Sequence, residues 1–420
     1  MVEMGRRGMY APVILLFFIT SVLFVKHGQW ALQCVPDYLT YAVSDWLINY
    51  EAGFVRRGLL GQLLFEAWQV HPFNVREFVL LLPFVFSPLL MALLLMVFYK
   101  ERWQPMVIFT VCCLGSTFLA SAVRRDYLVL VMVYFVFMAM SQWLRHRRWI
   151  NLCAFFLLSV TLVLIYEPSV FITFPLLFVI LRRKAVLLAL PIVIACLAVF
   201  TSRGDAAMAQ TIWQSWEPCF LRYPYPSDNS GIGLGVEALG WNAFDTFAFH
   251  LRLAYVGIKP SLLTIPLIGY MLAGTYYLMV CHDVAKVPFW PRRPEPPVIP
   301  AKGSADGDVQ SSAMLGLSNV LLFQFIAMLP MFTVLSCDWG RNITLCCVST
   351  FFLLHFFPNA GNQIPHLAKV SKPLLSLFDR HRWLRSPYFY VFVALTIPMP
   401  VSEAPQFGDS ILGLLITLLT

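Results

Sequence analysis

The sequence predicts an all-α protein that crosses a membrane many times, and three observations support this fold class. The chain has 420 residues, of which 59% are hydrophobic and only 12% are charged. A soluble globular domain carries about twice that charged fraction, roughly 25%. The mean hydropathy is +0.72, and apolar stretches recur along most of the chain. This composition excludes disordered, collagen-like, coiled-coil and disulfide-scaffold proteins.

Each candidate span is an apolar stretch near the length that a helix needs to cross the hydrocarbon, roughly 17–25 residues. We expect 10 to 12 crossing helices, because several of the twelve stretches are short. In chain order they cover residues 10–25, 78–98, 105–119, 127–140, 150–165, 169–181, 185–200, 262–280, 313–334, 343–357, 387–401 and 411–420. The first stretch is interpreted as a retained helix, because no small-residue cleavage site of a signal peptide follows it.

Lys and Arg residues between the spans indicate the orientation, because cytoplasmic loops carry an excess of them. With the N-terminus in the cytoplasm, every cytoplasmic loop after the first helix is basic. A basic inner face then explains the net charge of +8, and we expect no nucleic-acid partner.

The long segments between spans divide the chain into modules. An N-terminal transmembrane module, residues 1–281, carries two long outer loops at 26–77 and 201–261. Residues 282–312 are rich in Pro, Gly, Ser and acidic side chains, which predicts a flexible cytoplasmic linker. Residues 313–420 form a C-terminal transmembrane module. No internal repeat is evident, which weakens an inverted-repeat transporter hypothesis.

The first outer loop concentrates carboxylates, arginines and aromatic rings. In chain order these include Asp37, Asp45, Tyr50, Glu51, Arg56 and Arg57. A carboxylate there can act as a general base on a hydroxyl acceptor, and an arginine pair can hold a phosphate through forked hydrogen bonds. Residues 39–46 and 59–68 have the pattern of amphipathic helices lying along the interface. The plainer alternative is an interfacial helix with solvated charges and an aromatic belt.

Further charges lie at the outer ends of later spans, where charge is costly without a partner. Arg124, Arg125 and Asp126 occupy a short loop and form either an anion site or an Arg–Asp pair that caps a helix. Glu167 stands between two apolar helices, so we expect burial to raise its pKa toward a proton-transfer role. The alternative is an exposed turn at that residue.

Two more outer segments carry candidate residues. Asp338 and Arg341 are three residues apart, a spacing that suits a salt bridge across one helical turn. Arg222 lies in the second long loop among Trp and Tyr side chains, whose ring faces suit a sugar-binding cleft. The candidate residues therefore converge on one membrane face.

In this arrangement the chain resembles the GT-C superfamily of integral-membrane glycosyltransferases. The likeness lies in one N-terminal helix, a long first outer loop with acidic residues and amphipathic helices, and many short-looped spans. The strings NYEAGFVRRGLLG and DWGR also resemble those of uncharacterised bacterial membrane proteins encoded with polysaccharide genes. The sequence departs from the superfamily in having no clear Asp-x-Asp pair in the first loop and no large soluble C-terminal domain.

The resemblance implies a site, substrates and a location. The catalytic base is expected among Asp45, Glu51 and Asp37. The donor phosphate is expected to bind to arginines, namely Arg56, Arg57, Arg124, Arg125 and Arg341. Supporting roles are expected for Asp126, Glu167, Asp338, Arg222 and Tyr50. The implied partners are a polyprenyl-phosphate sugar donor, a glycan or glycolipid acceptor of the cell envelope, and membrane lipids. Superfamily members vary in metal dependence, so the resemblance implies no particular cofactor and leaves a divalent cation open. The implied location is the bacterial inner membrane, with the active site on the periplasmic face.

Three alternatives stay open at this point. The closest is an O-antigen-type polymerase, which moves whole oligosaccharides between undecaprenyl diphosphates. A second is a transporter or lipid-linked oligosaccharide flippase, a class that places ionisable groups at mid-membrane on broken helices. The interiors of the candidate spans carry almost no ionisable residues. His355 is a rare exception, which we interpret as a packed core residue. The third is a non-catalytic membrane scaffold.

Overall fold

The computed structural model describes residues 43–101, 125–181, 185–202, 204–224, 231–241, 248, 264–281, 306–331 and 339–397. Every regular element within these ranges is a helix, which confirms the all-α class. The α-helices are α1 (Gly58–Val70), α2 (Val75–Glu101), α3 (Asp126–His146), α4 (Trp149–Ile165), α5 (Ser169–Leu181), α6 (Ala185–Thr201), α7 (Ala206–Ser215), α8 (Glu217–Arg222), α9 (Leu234–Glu237), α10 (Thr264–Val280), α11 (Asp306–Ala327), α12 (Trp339–Phe356), α13 (Ala368–Arg380) and α14 (Pro387–Thr396). Short 3-10 helices cover Asp45–Leu47, Ala238–Gly240, Ala360–Gln363, Pro365–Leu367 and Arg382–Arg385.

Two of these helices are long and apolar enough to cross a membrane, namely Val75–Phe98 within α2 and Asp126–His146, which is α3. The bent pair Leu188–Thr201 and Ala206–Ser215, which meet at 101°, makes a third if it counts as one span. Five further apolar helices are shorter: Trp149–Ile165, Ser169–Leu181, Pro266–Val280, Met314–Ala327 and Arg341–Phe356. A 17-residue helix rises about 25 Å, slightly less than the roughly 30 Å hydrocarbon core. The larger number of crossings stays a prediction, and the candidate spans 10–25, 105–119 and 411–420 lie outside the described residues.

Large apolar side chains on the outside of the bundle fit a lipid surrounding. Leu157 on α4 is 69% exposed, and Ile194 and Leu197 on α6 are each 58% exposed. Exposed apolar side chains gathered into large patches are rare on soluble monomers and mark contact with a membrane or a partner.

The helix ends define two ends of the bundle. At one end α3 and α12 both begin, because Arg341 Nε lies 2.6 Å from Asp126 Oδ2. At the other end α2 and α12 both finish, because His355 Nδ1 lies 2.7 Å from Glu101 Oε1. We call the first the network end, because the ion-pair network described below lies there. We call the second the basic end, because α3 also finishes there, with Arg145 in its last turn.

Helices α10, α11, α13 and α14 form the second half of the bundle. The buried hydroxyl of Ser371 on α13 donates to Asn319 Oδ1 on α11 at 2.6 Å. Gly361 lies against α11 so closely that a Cβ there would come within 1.9 Å of the Gly316 carbonyl oxygen. These contacts hold α13 beside α11 at the basic end. Helix α11 begins at Asp306, within the stretch that we predicted as a linker.

Candidate functional site: an ion-pair network

The loop before α1 carries Asp45 and is fixed by buried apolar side chains. Trp46, Leu47 and Ile48 are at most 2% exposed. Gly61 on α1 lies directly on this loop, and a Cβ there would come within 1.9 Å of the Ile48 carbonyl oxygen. A side chain larger than hydrogen is excluded at this contact, so the packing of α1 sets the position of the 3-10 helix that begins at Asp45.

The second long loop anchors the first one. Trp216 Nε1 donates to the Leu47 carbonyl at 2.8 Å, and Asn49 Nδ2 donates to Ser215 Oγ at 2.8 Å. Arg56 Nη2 donates to the Ala238 carbonyl at 2.9 Å. The two loops that we predicted on one membrane face therefore pack against each other.

Arg57 is the junction of the network. Its backbone is left-handed, with φ 62°, a conformation that is uncommon outside glycine and is held only where surrounding contacts require it. Its Nε donates to both carboxylate oxygens of Glu167, at 2.9 and 2.7 Å, and its Nη1 donates to Asp45 Oδ1 at 3.3 Å. Its carbonyl accepts a 3.2 Å hydrogen bond from Arg125. Both the side chain and the backbone carbonyl of Arg57 therefore form hydrogen bonds within the network.

Arg125 is the most deeply buried cation of the network, with 1% of its surface exposed. Its Nη1 donates to the Ile165 carbonyl at 2.8 Å, and its Nε lies 3.2 Å from Asp45 Oδ2. Its guanidinium carbon lies 5.7 Å from the centre of a Trp46 ring, within the range of a cation–π contact. Arg125 therefore joins the loop before α1 to the end of α4.

Asp126 and Arg341 form a forked pair across 215 residues of sequence. Arg341 Nε donates to Asp126 Oδ2 at 2.6 Å, and Nη2 donates to Oδ1 at 2.7 Å. The Tyr166 ring connects this pair to the rest, because the guanidinium carbons of Arg57 and Arg341 lie 5.9 and 5.4 Å from its centre. The predicted helix-capping role of Asp126 is replaced by this ion pair, since no side chain caps the start of α3.

The network holds equal numbers of carboxylates and guanidiniums. Its members are Asp45, Arg57, Arg125, Asp126, Glu167 and Arg341. Burial by itself would raise the pKa of Asp45, but the charges of Arg125, Arg57 and Arg341 outweigh it and the pKa is lowered. Burial likewise opposes ionisation of Glu167, yet Arg57 lowers its pKa below the ordinary value. The expectation of a raised pKa at Glu167 is therefore wrong, because a guanidinium lies where the sequence suggested only apolar neighbours.

Tyr50 carries a buried hydroxyl beside the network. Its Oη has no hydrogen-bond partner among the described residues, and burial raises its pKa to about 12 even though Arg125 acts in the opposite direction. Its ring lies on Gly58, where a Cβ would come within 2.2 Å of a ring carbon. A neutral phenol at this position can donate a hydrogen bond to an anionic group.

Glu51 and Arg222 are described residues that do not belong to the six. Glu51 is exposed, and its N–H donates to Asn49 Oδ1 at 3.2 Å. Arg222 ends α8, exposed, with its guanidinium 5.4 Å from the ring centre of neighbouring Tyr223. The other three, Asp37, Arg124 and Asp338, lie outside the described residues.

Sequence reasoning did not assign a connecting role to the rings that lie between the ion pairs. Trp46 and Tyr166 stood next to predicted residues, but their cation–π contacts depend on segments about 80 to 175 residues away, so no local signal marked them. Within the described ranges, no group of three His, Cys, Asp or Glu side chains is placed to hold a metal ion. No family model, curated protein or solved structure matches this chain.

Proposed function

We propose that this protein is a membrane glycosyltransferase, which transfers a sugar from a polyprenyl-phosphate donor to a cell-envelope glycan or glycolipid. The proposal places the reaction at the network end, on the periplasmic face of a bacterial inner membrane. The observation that carries it is the gathering of Arg57, Arg125 and Arg341 beside a carboxylate, from segments far apart in the sequence.

The arginines suit the phosphate of a lipid-linked donor. Guanidiniums bind phosphate oxygens through forked hydrogen bonds, and fixed cations stabilise the negative charge that develops on a leaving phosphate. Arg57 and Arg341 keep 22% and 17% of their side-chain surface exposed, so a ligand can reach both from the surface. The buried hydroxyl of Tyr50, which is close enough to Arg125 to feel its charge, can serve as a further donor.

Asp45 is the proposed general base. It is partly exposed, at 16% of its side chain, whereas Asp126 and Glu167 are at most 9% exposed and serve to hold the arginines. Without ligand the arginines keep the pKa of Asp45 low. A donor phosphate that competes for Arg57 and Arg341 would weaken this effect and raise the pKa, which makes Asp45 a stronger base when the donor is bound.

The proposed reaction is a displacement at the anomeric carbon. The acceptor hydroxyl oxygen forms the new bond to that carbon while its proton passes to Asp45. The bond between the anomeric carbon and the phosphate oxygen breaks, and its electron pair leaves with the polyprenyl phosphate. Arg57 and Arg341, the two arginines that keep exposed surface, stabilise this leaving group.

The test compares two carboxylates of the same loop. Purified protein in lipid nanodiscs is given radiolabelled polyprenyl-phosphate and polyprenyl-diphosphate sugars, and the release of polyprenyl phosphate is measured. We expect Asp45→Asn to lower turnover at least 100-fold, which is the size of a general-base contribution. The exposed Glu51→Gln is the matched control and should retain turnover. Equal turnover of Asp45→Asn and wild type would contradict the assignment of the base.

The same assay separates the neighbouring functions. Turnover with diphosphate-linked oligosaccharides alone would replace the proposal by a polysaccharide polymerase. A transporter or flippase is the second candidate function. It is favoured by one feature, since the three carboxylates and three guanidiniums of the network pair with one another, as the charges of a closed gate do. Absence of turnover with every donor, with flux of a lipid-linked sugar across vesicles, would support that candidate.

A further inference from the structure

Helix α13 separates charged and apolar side chains onto opposite faces. At 100° per residue, Lys369, Lys372 and Arg380 share one face, and Leu374 and Phe378 share the other. The three cations are exposed. A basic amphipathic helix of this kind lies in the headgroup region of a membrane and attracts anionic lipids.

The apolar face of α13 borders a groove of about 650 Å³. Helices α10, α11, α13 and α14 supply its walls. It follows α11 from Leu322 to Ile326, a distance of about 6 Å along the helix axis. A volume within the range of about 300–1,000 Å³ is typical of ligand sites. The groove opens outward, because Ile326 and Leu329 are 59% and 55% exposed.

The walls of the groove offer few hydrogen bonds to an occupant. The hydroxyl of Tyr270 shares a 2.7 Å hydrogen bond with Thr396, and that of Tyr276 shares a 2.5 Å hydrogen bond with Ser318. The hydroxyl of Tyr277 donates to the Leu384 carbonyl. An occupant of the groove is therefore apolar along its length, as an acyl chain is.

The exposed cations on the polar face of α13 select the headgroup. Asp379 is the carboxylate of α13, and it is paired with Arg385. No ion pair of Lys369 or Lys372 is present among the described residues, so both are free to meet a phosphate. We propose that α13 and the groove bind an anionic glycerophospholipid, with the phosphate on the lysine face and an acyl chain between α11 and α13. This inference rests on the chain lying in a membrane and is independent of glycosyl transfer.

The experiment measures which lipids stay bound to the full-length protein. The protein is equilibrated with equal amounts of phosphatidylglycerol and phosphatidylcholine in detergent, and bound lipids are counted by native mass spectrometry. We expect wild type to retain phosphatidylglycerol in preference. Lys369→Gln/Lys372→Gln should reduce that preference roughly tenfold, and Lys369→Arg/Lys372→Arg should keep it.

Arg145→Gln/Arg148→Gln is the matched control, because it removes two exposed cations at the basic end from helices that do not line the groove. Ala273→Trp places a ring in the groove and should lower the retention of both lipids. Equal retention of both lipids by wild type would overturn the proposal, as would equal losses of preference in the Gln pairs. Unchanged retention in Ala273→Trp would also overturn it, because the lipid would then bind outside the groove. Circular dichroism melting curves check that each variant is folded.

Discussion

The two ends of the bundle differ in how deeply they bury their cationic side chains. At the network end Arg125 is 1% exposed and lies against the carboxylate of Asp45. At the basic end Lys369, Lys372 and Arg148 are exposed. The buried cation is positioned by the protein, whereas the exposed ones stay hydrated.

This difference shows what burial demands of a charge. Removing an ion from water is expensive, and removal of one partner of a buried pair leaves the other uncompensated. An exposed charge pays no such penalty, so it needs no fixed partner and stays available to a ligand. The network end thus holds its charged side chains in fixed positions, whereas the exposed cations of the basic end are available to attract an anionic ligand. Four predictions test that distinction.

The largest effect is expected for Arg125→Ala. The substitution leaves Asp45 without its nearest buried cation and leaves the Ile165 carbonyl without its donor. We expect a loss of about 3–5 kcal/mol in the free energy of unfolding, measured by denaturant titration in detergent. Arg148→Ala at the basic end is the matched control and should change it by less than about 0.5 kcal/mol. Similar losses for both variants would remove the distinction between the two ends.

The second prediction concerns the glycine contact that places Asp45. Gly61→Ala would force α1 away from the Ile48 carbonyl, and we expect a loss of stability of about 1–3 kcal/mol together with a loss of activity. Gly361→Ala meets an equally close carbonyl at the basic end and should lower stability without lowering activity. Gly269→Ala on α10 meets no atom within 4 Å and serves as control, since it should be neutral or slightly stabilising. Thermal melting and the turnover assay together separate the three outcomes.

The third prediction is an acid sensitivity located at the network end. The pKa values of Asp45 and Glu167 are lowered by folding from ordinary values of 3.8 and 4.5. Their contribution to stability is therefore present above those ordinary values and is lost as the pH falls through the lowered folded values. We expect a smaller loss than for Arg125→Ala, because a protonated carboxyl still accepts hydrogen bonds. Denaturation midpoints between pH 7 and pH 3 measure it, and Asp45→Asn/Glu167→Gln should flatten the profile.

The smallest effect is expected for Lys369→Gln/Lys372→Gln. Both side chains are exposed on α13, so the free energy of unfolding should change by less than about 0.5 kcal/mol, even though lipid preference changes. A larger destabilisation would mean that these lysines have structural roles like those of the buried arginines.

Sequence reasoning determined the all-α class and the apolar character of the helices, because composition and the length of apolar stretches are local properties. It also selected residues that lie together in the network, since charges at the ends of apolar stretches are rare. Asp45, Arg57 and Arg125 were all identified in this way. The lengths of the helices were harder to predict from the sequence, because several apolar stretches form helices of only 13 or 17 residues.

Tertiary structure decided the pairings and the depth of each charge. It placed Asp45 in the network and left Glu51 exposed, six residues further along the same loop. It joined Arg341 to Asp126, 215 residues away. It also reversed the expected direction of the pKa of Glu167, since a pKa is the balance of burial against neighbouring charge, and those neighbours come from distant segments. Local sequence fixes which groups are present, but the distances between segments arise only when the helices pack.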